Sequence, residues 1–364
     1  FSMTKAAELA KMGEVLTNSQ IGGRRNIVIN GAMQVAQRAT EVTGIGASAG
    51  YFTVDRFDMF FSGTAGRLTQ SQVAVTDLPG FANALKLQCT TADTSIASGE
   101  TAQLQYAIEG QDLQQLKKGT SSAEKTTISF YVKGNAAATY TIEFQDNDNS
   151  RHNTQTFAVT TSWNRVSVTF DGDTTGAFDD DNGTSVRIQI YLQAGATYTG
   201  GTFTSNTWAG VTNANTVKSD QTMFFDSTNR NLFITGIQLE VGSVATPFEH
   251  RSLGEELALC QRYYQQSDAD TGSGLTGNSF HGHTINTTEC IGQAPFVTTM
   301  RATPTIVIFG NDGTAGEAHL IGTSDVSGVA ASLITATGFI KISKSSGLTD
   351  AREYGCHYTA TAEL

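Results

Sequence analysis

Between Asn26 and Phe248 the sequence is a succession of short segments in which apolar and polar residues alternate, and no other feature restricts the fold as much. Ile128, Phe130 and Val132 alternate with Ser129, Tyr131 and Lys133. Tyr140, Ile142 and Phe144 form a second row, Val166, Val168 and Phe170 a third, and Val186, Ile188, Ile190 and Leu192 a fourth. A period of two puts the apolar members on one face of a strand and the polar members on the other. Turn residues separate the rows at Asp146 to Asn149 and at Asp171 to Asp173. No long helical pattern interrupts the series. Parallel βαβ units are therefore disfavoured, and an antiparallel sandwich of the jelly-roll type is expected.

Elsewhere the pattern changes. Leu9, Met12 and Leu16 recur at helical spacing, which predicts an N-terminal helix within residues 1–22. One short apolar stripe is marginal in water, so that helix needs a partner, either the body of its own subunit or copies of itself. Ser252 and Glu255 have capping-box spacing, and Leu253, Leu257, Cys260 and Tyr264 share a helical face, which predicts a connecting helix over 251–266. A Gly/Ser/Asp-rich linker follows, and then Thr305 to Phe309, Gly338 to Ser343 and Tyr354 to Thr361 read as strands of a small C-terminal β domain, 267–364. The expected fold is thus mainly β: N-terminal helix, β-sandwich over 23–250, connecting helix and C-terminal β domain. A chain of 364 residues accommodates these two β domains.

The formal net charge of −11, with no Lys/Arg cluster, argues against a nucleic-acid partner. No apolar run reaches the length of a membrane span and no basic-then-apolar leader opens the chain, so a product of the cytoplasm without membrane insertion is expected. Cys89, Cys260, Cys290 and Cys356 are widely spaced, which points to buried reduced thiols in place of a disulfide framework.

Three ordered stretches carry a family resemblance. The first is Asn26-Ile-Val-Ile-Asn-Gly31 with Gln37-Arg38 and Tyr51-Phe-Thr-Val-Asp-Arg-Phe57. The second runs from Ile234 to Arg251 into Glu255-Glu-Leu-Ala-Leu-Cys-Gln-Arg-Tyr-Tyr264. The third is Met300-Arg-Ala-Thr-Pro-Thr305 with the ending Tyr358 to Leu364. Together they resemble a family of bacteriophage tail-fibre, receptor-binding proteins with a carbohydrate-binding-module-like sandwich and a distal tip. Ala39 and Phe57 stand where that family has Gly and Trp. The resemblance implies a homotrimer on the virion, carried by phage tail or baseplate proteins, with the C-terminal domain as tip towards host lipopolysaccharide or capsular polysaccharide.

No nucleophile elbow, P-loop or dinucleotide fingerprint is present, and no coil-length repeat of a β-helical depolymerase, so a non-enzymatic role in adsorption is expected. A depolymerase and a virion decoration subunit without glycan binding are the alternatives. For saccharide contact the outward residues Arg187, Gln189, Tyr191 and Gln193 of one strand and Gln103 and Gln105 of another offer planar amides, a guanidinium and a ring. The same layer also suits a neighbouring subunit. Trp208, in a Gly/Thr/Asn loop, is either an exposed anchor or a loop staple. No cofactor is required, but two structural metal sites are considered. Asp179 and Asp181 beside Gly183, like the turn at Asp146 to Asn149, supply hard oxygens for calcium, the competing reading being a solvated turn. His281 and His283, if on a strand, project to one side, and three copies would offer six nitrogens to iron or nickel; two surface histidines of a Gly-rich loop are the competing reading.

Overall fold

A computed structural model of the chain describes Lys5, residues 25–267 and residues 279–364. Apart from Lys5, the helix expected within 1–22 lies outside the described residues, as does the linker from 268 to 278. The chain divides into two compact units, Phe1–Leu253 and Gly254–Leu364.

The first unit contains β1 (Glu41–Ile45), β2 (Gly50–Tyr51), β3 (Asp58–Ser62), β4 (Arg67–Ala74), β5 (Asn83–Thr91), β6 (Thr101–Glu109), β7 (Thr126–Gly134), β8 (Ala138–Asp146), β9 (Arg151–Val159), β10 (Asn164–Phe170), β11 (Thr184–Ala194), β12 (Ala209–Gly210) and β13 (Asn231–Val241). They build a six-stranded sheet, β1-β4-β5-β13-β7-β10, and a seven-stranded sheet, β12-β9-β8-β11-β6-β3-β2. The chain changes sheet on entering β2, β4, β6, β7, β8, β10, β11 and β13, so many strands that pair lie far apart in sequence. The result is an antiparallel β-sandwich. Its core is made by the apolar rows read from the sequence: Phe130, Val132, Val168 and Ile234 from one sheet, Ile142, Phe144, Val186 and Ile190 from the other. Each fully buried aromatic or branched side chain contributes about 1.5–3 kcal/mol.

The residues of the first family-like stretch are structural. Asn26 Oδ1 accepts from the amides of Val28 and Leu239, and its Nδ2 donates to Ile237 O at 3.1 Å. Asn30, at φ 61°, donates to Val35 O and Asp55 O. Asp55 accepts from the Gln37 backbone and side chain. Arg56 is 1% exposed, bonds Ala107 O at 2.8 Å and lies over Tyr106, while Phe57 packs in the core against the same ring. Arg251 donates to Val28 O and Asn26 O, which ties the start of the sandwich to its end. Gly236, at φ 64°, forms the bulge of β13 that aims the Ile237 amide at Gly31 O; a Cβ there would lie 2.7 Å from the Phe81 ring.

The boundary between the units falls at the first residue of a helix, Leu253–Gln261. That helix is shorter than expected: Tyr264–Gln266 is strand β14 and pairs with Thr359 to Thr361. Nor do the residues read as one apolar face all turn inward, since Leu253 is 59% exposed while Glu256 is buried. Then come β15 (Phe280–Thr284), β16 (Glu289–Pro295), β17 (Thr305–Phe309), β18 (Glu317–Leu320), β19 (Asp325–Ser327), β20 (Ala330–Thr335), β21 (Gly338–Ser343) and β22 (Glu353–Thr361). β22 pairs with β14, β15, β17 and β18. Phe280 stacks on Phe339 at 5.4 Å beneath it, and Tyr358 meets Phe339 edge-on. All four cysteines are buried and none forms a disulfide among the described residues; burial pushes the Cys89 and Cys290 thiols up to about 11.

Candidate functional site

The same alternation that feeds the core sends the other half of each strand to the outer face of the seven-stranded sheet. Register then decides which side chains meet. Gln105 lies opposite Gln189 and Asp58, and Gln103 opposite Tyr191 and Phe60. On the far side Gln189 faces Glu143, Arg187 faces Gln145, and Gln145 faces His152.

The side chains form one hydrogen-bonded ladder across four strands. Gln103 Nε2 donates to Thr101 Oγ1 at 3.1 Å, and Gln105 Nε2 to the Gln103 oxygen and to Gln189 Oε1. Gln189 Nε2 donates to Glu143 Oε2 at 2.9 Å and to Gln145 Oε1 at 2.5 Å. The Tyr191 hydroxyl donates to Glu143 Oε2 at 2.9 Å, and His152 Nδ1 lies 2.7 Å from Glu143 Oε1. Burial, with the Glu143 carboxylate next to it, pushes the Tyr191 phenol well above its ordinary pKa. Gln103, Gln105, Gln189 and Tyr191 are each 4% exposed, so the ladder is the floor of the face. Arg187, Gln145, Asp58 and Phe60 are half-buried and form its accessible part. At the Tyr191 end the loop after β11 folds back: Tyr198 and Val217 pack on Tyr191, and Gln221 bonds Tyr191 O and the Thr141 amide.

Of the saccharide candidates from the sequence, Gln103, Gln105, Arg187, Gln189 and Tyr191 are brought together. Gln193 leaves the row. A bulge after Tyr191 pairs it with Ala102, a core residue, and its buried amide has no partner. Trp208 is a staple and not an anchor on this face: its Nε1 donates to Asp171 O, and its ring meets Phe144 edge-on at 5.5 Å. Glu143, His152 and Phe60 were not anticipated. For Glu143 a signal existed, because the inward row Tyr140, Ile142 and Phe144 sends it outward.

The acidic turns behave differently from one another. Asp179 and Asp181 are exposed, and Asp181 Oδ1 accepts from the Gly183 amide at 2.8 Å, as a turn carboxylate does. At Asp146 the cation is a side chain. The Lys118 ammonium lies 2.6 Å from Asp146 Oδ2 and 3.2 Å from Asp173 Oδ2, and donates to Thr175 O and Gly176 O. Burial alone would raise the Asp173 carboxyl; the Arg151 guanidinium, the Thr175 amide and the Lys118 ammonium hold it below its ordinary value. In the second unit His281 and His283 are exposed on one side of β15, opposite Gln293 and Ile291 of β16. Among the described residues, Asp312, Glu317 and Asp325 are a close acidic group, and Asp325 takes His319 Nδ1 at 2.6 Å and the Asp312 amide.

No family model matches the chain, and no curated protein matches it. Several solved structures align with part of the chain. A CBM4 module is 13% identical, with 58% of this chain and 97% of that one covered at a TM-score of 0.30. A family 11 carbohydrate-binding module from Clostridium thermocellum, in complex with a β-1,3-1,4-mixed-linked tetrasaccharide, is 12% identical, covering 57% of this chain and 98% of that one at 0.29. The enzymatically active domain of tailspike protein 4 from bacteriophage CBA120 is 10% identical; 59% of this chain matches 21% of that one at 0.29.

Proposed function

We propose that this chain is a non-enzymatic adhesion subunit of a bacteriophage tail fibre, binding host surface polysaccharide or lipopolysaccharide through the outer face of its seven-stranded sheet. The observation that carries the saccharide reading is the ladder from Gln103 to Glu143. Sugar hydroxyls donate and accept at once, and primary amides fixed edge to edge answer both demands with little ordering cost. Phe60 beside Gln103 adds an apolar platform for a pyranose face. The phage setting rests on the ordered family resemblance along the sequence. In that setting the subunit is a homotrimer held by tail or baseplate proteins, and weak contacts add through several copies.

Glycan-array binding and affinity electrophoresis of the purified chain test the reading. Retention by at least one bacterial polysaccharide is expected. Gln145→Ala should weaken it directly, and Gln189→Ala should weaken it by releasing Glu143 and Gln145 from their positions. Absence of any retention, or retention that survives both substitutions unchanged, removes the face from consideration. Release of oligosaccharides during the assay would replace adhesion by depolymerisation. Mass in solution tests the trimer, and metal analysis of the same sample tests whether exposed His281 and His283 hold iron or nickel between copies.

A further inference from the structure

The ladder is neutral along most of its length, but at its accessible edge stands a cation with unmet bonding capacity. Arg187 is half-buried, its Nε is enclosed without an acceptor, and NH1 makes one long bond of 3.4 Å to Gln105 Oε1. Among the described residues no carboxylate forms an ion pair with it. Glu143 is taken by Tyr191, Gln189 and His152, and Glu109 accepts from Gln111. Lys118, Arg151 and Arg230 of the same unit, by contrast, each sit on an aspartate. Removing a guanidinium from water without a counter-charge is unfavourable, so such a group is a place where an anion from outside is favoured. Its cross-strand neighbours sharpen this. Ala107 has no polar group to offer, and the Gln145 oxygen is already used by Gln189, which leaves the Gln145 amide N–H groups to donate alongside Arg187.

We infer that the saccharide bound by this face carries an anionic substituent, a carboxylate or phosphate ester, that seats on the Arg187 fork with Gln145 as second donor. The inference rests on the saccharide reading above and adds the charge of the ligand to it. A planar fork matches two oxygens of either group, which a lysine ammonium does not. The protein's net charge of −11 works against acidic polymers at long range, so recognition here is a local contact and not general attraction.

The test is calorimetric titration of the full chain with size-matched oligosaccharides: galacturonate oligomers, phosphorylated mannan oligomers and neutral dextran oligomers. The wild-type chain should prefer one or both acidic probes to the neutral one by about ten- to a hundredfold, the range of a charge-assisted hydrogen-bond pair. The better acidic probe identifies the source of the charge. Arg187→Gln should abolish the preference by cutting affinity for the better acidic probe about ten- to a hundredfold, and Arg187→Lys should restore only part of it. Were Arg187→Gln not to fold, the Arg187→Lys variant alone decides. Equal affinity of the wild type for acidic and neutral probes, or a preference that survives both substitutions, overturns the anionic ligand and leaves the saccharide reading standing. Failure to bind either acidic probe overturns the anionic ligand, and absence of any retention on the glycan array overturns the saccharide reading as well.

Discussion

At the scale of single residues, Lys118 places an ammonium beside Asp146, in a turn that on sequence reads either as solvated or as a calcium site. It is a cation on a covalent tether, 4% exposed, facing two carboxylates and two carbonyl oxygens. Lys118→Met keeps the aliphatic stem against Phe178 and Trp208 but leaves Asp146 and Asp173 buried without their counter-ion. Unfolding in urea should show a loss of about 3–5 kcal/mol. The pH dependence follows from Asp173. Its folded pKa lies below the unfolded value of 3.8, so its contribution is complete above that value and is lost as pH falls through the folded pKa. Wild-type urea midpoints should therefore fall on acidification below about pH 4, and Asp173→Asn should show a shallower fall over that window. An equally steep fall in Asp173→Asn would place the acid sensitivity in other carboxylates. None of this was legible in the sequence. Lys118 and Asp146 stand 28 positions apart in segments that read as an ordinary turn and an acidic turn, and nothing local says that one fills the other.

Elements show where local reading succeeds and where it stops. β7, β8, β10 and β11 follow the rows read from alternation, because side chains of a strand alternate whatever its neighbour is. Bulges break that logic. One residue inserted after Tyr191 takes Gln193 out of the outward row, and the bulge at Gly236 turns Ile237 towards Gly31. Gly236→Ala would force a positive φ on a residue with a side chain and press its Cβ against Phe81. A destabilisation of about 1–3 kcal/mol is expected by denaturant titration, with the strand content in circular dichroism preserved. The helix from Leu253 stops at Gln261 for a tertiary reason. Tyr263 and Tyr264 are buried, and the segment from Tyr264 is held by a strand that ends the chain, about a hundred positions later. Helical spacing of apolar residues could not reveal that competing partner.

For the whole molecule, each unit has its own apolar cluster: one from Val28 to Leu239, the other from Phe280 to Ala362. Residues 25–253 expressed by themselves should fold cooperatively and keep any saccharide affinity of the full chain. An isolated 25–253 that folds but has lost that affinity would move the binding site away from the sheet face. The sequence alone determined that the chain is mainly β, where its main strands run and which side of each is apolar. These are properties of a few adjacent residues and of a backbone that points successive side chains to opposite sides. The tertiary structure decided which strands are neighbours, and so that Gln103 and Gln105 meet Gln189, that Glu143 and His152 join them, and that among the described residues no carboxylate pairs with Arg187. Most of those outcomes depend on pairings between residues 44 to 84 positions apart, such as Gln189 with Gln145 and Gln105 with Gln189, while His152 joins Glu143 from nine positions along the chain. Long-range register is set by how two sheets pack around one core, and no short stretch of sequence contains that information.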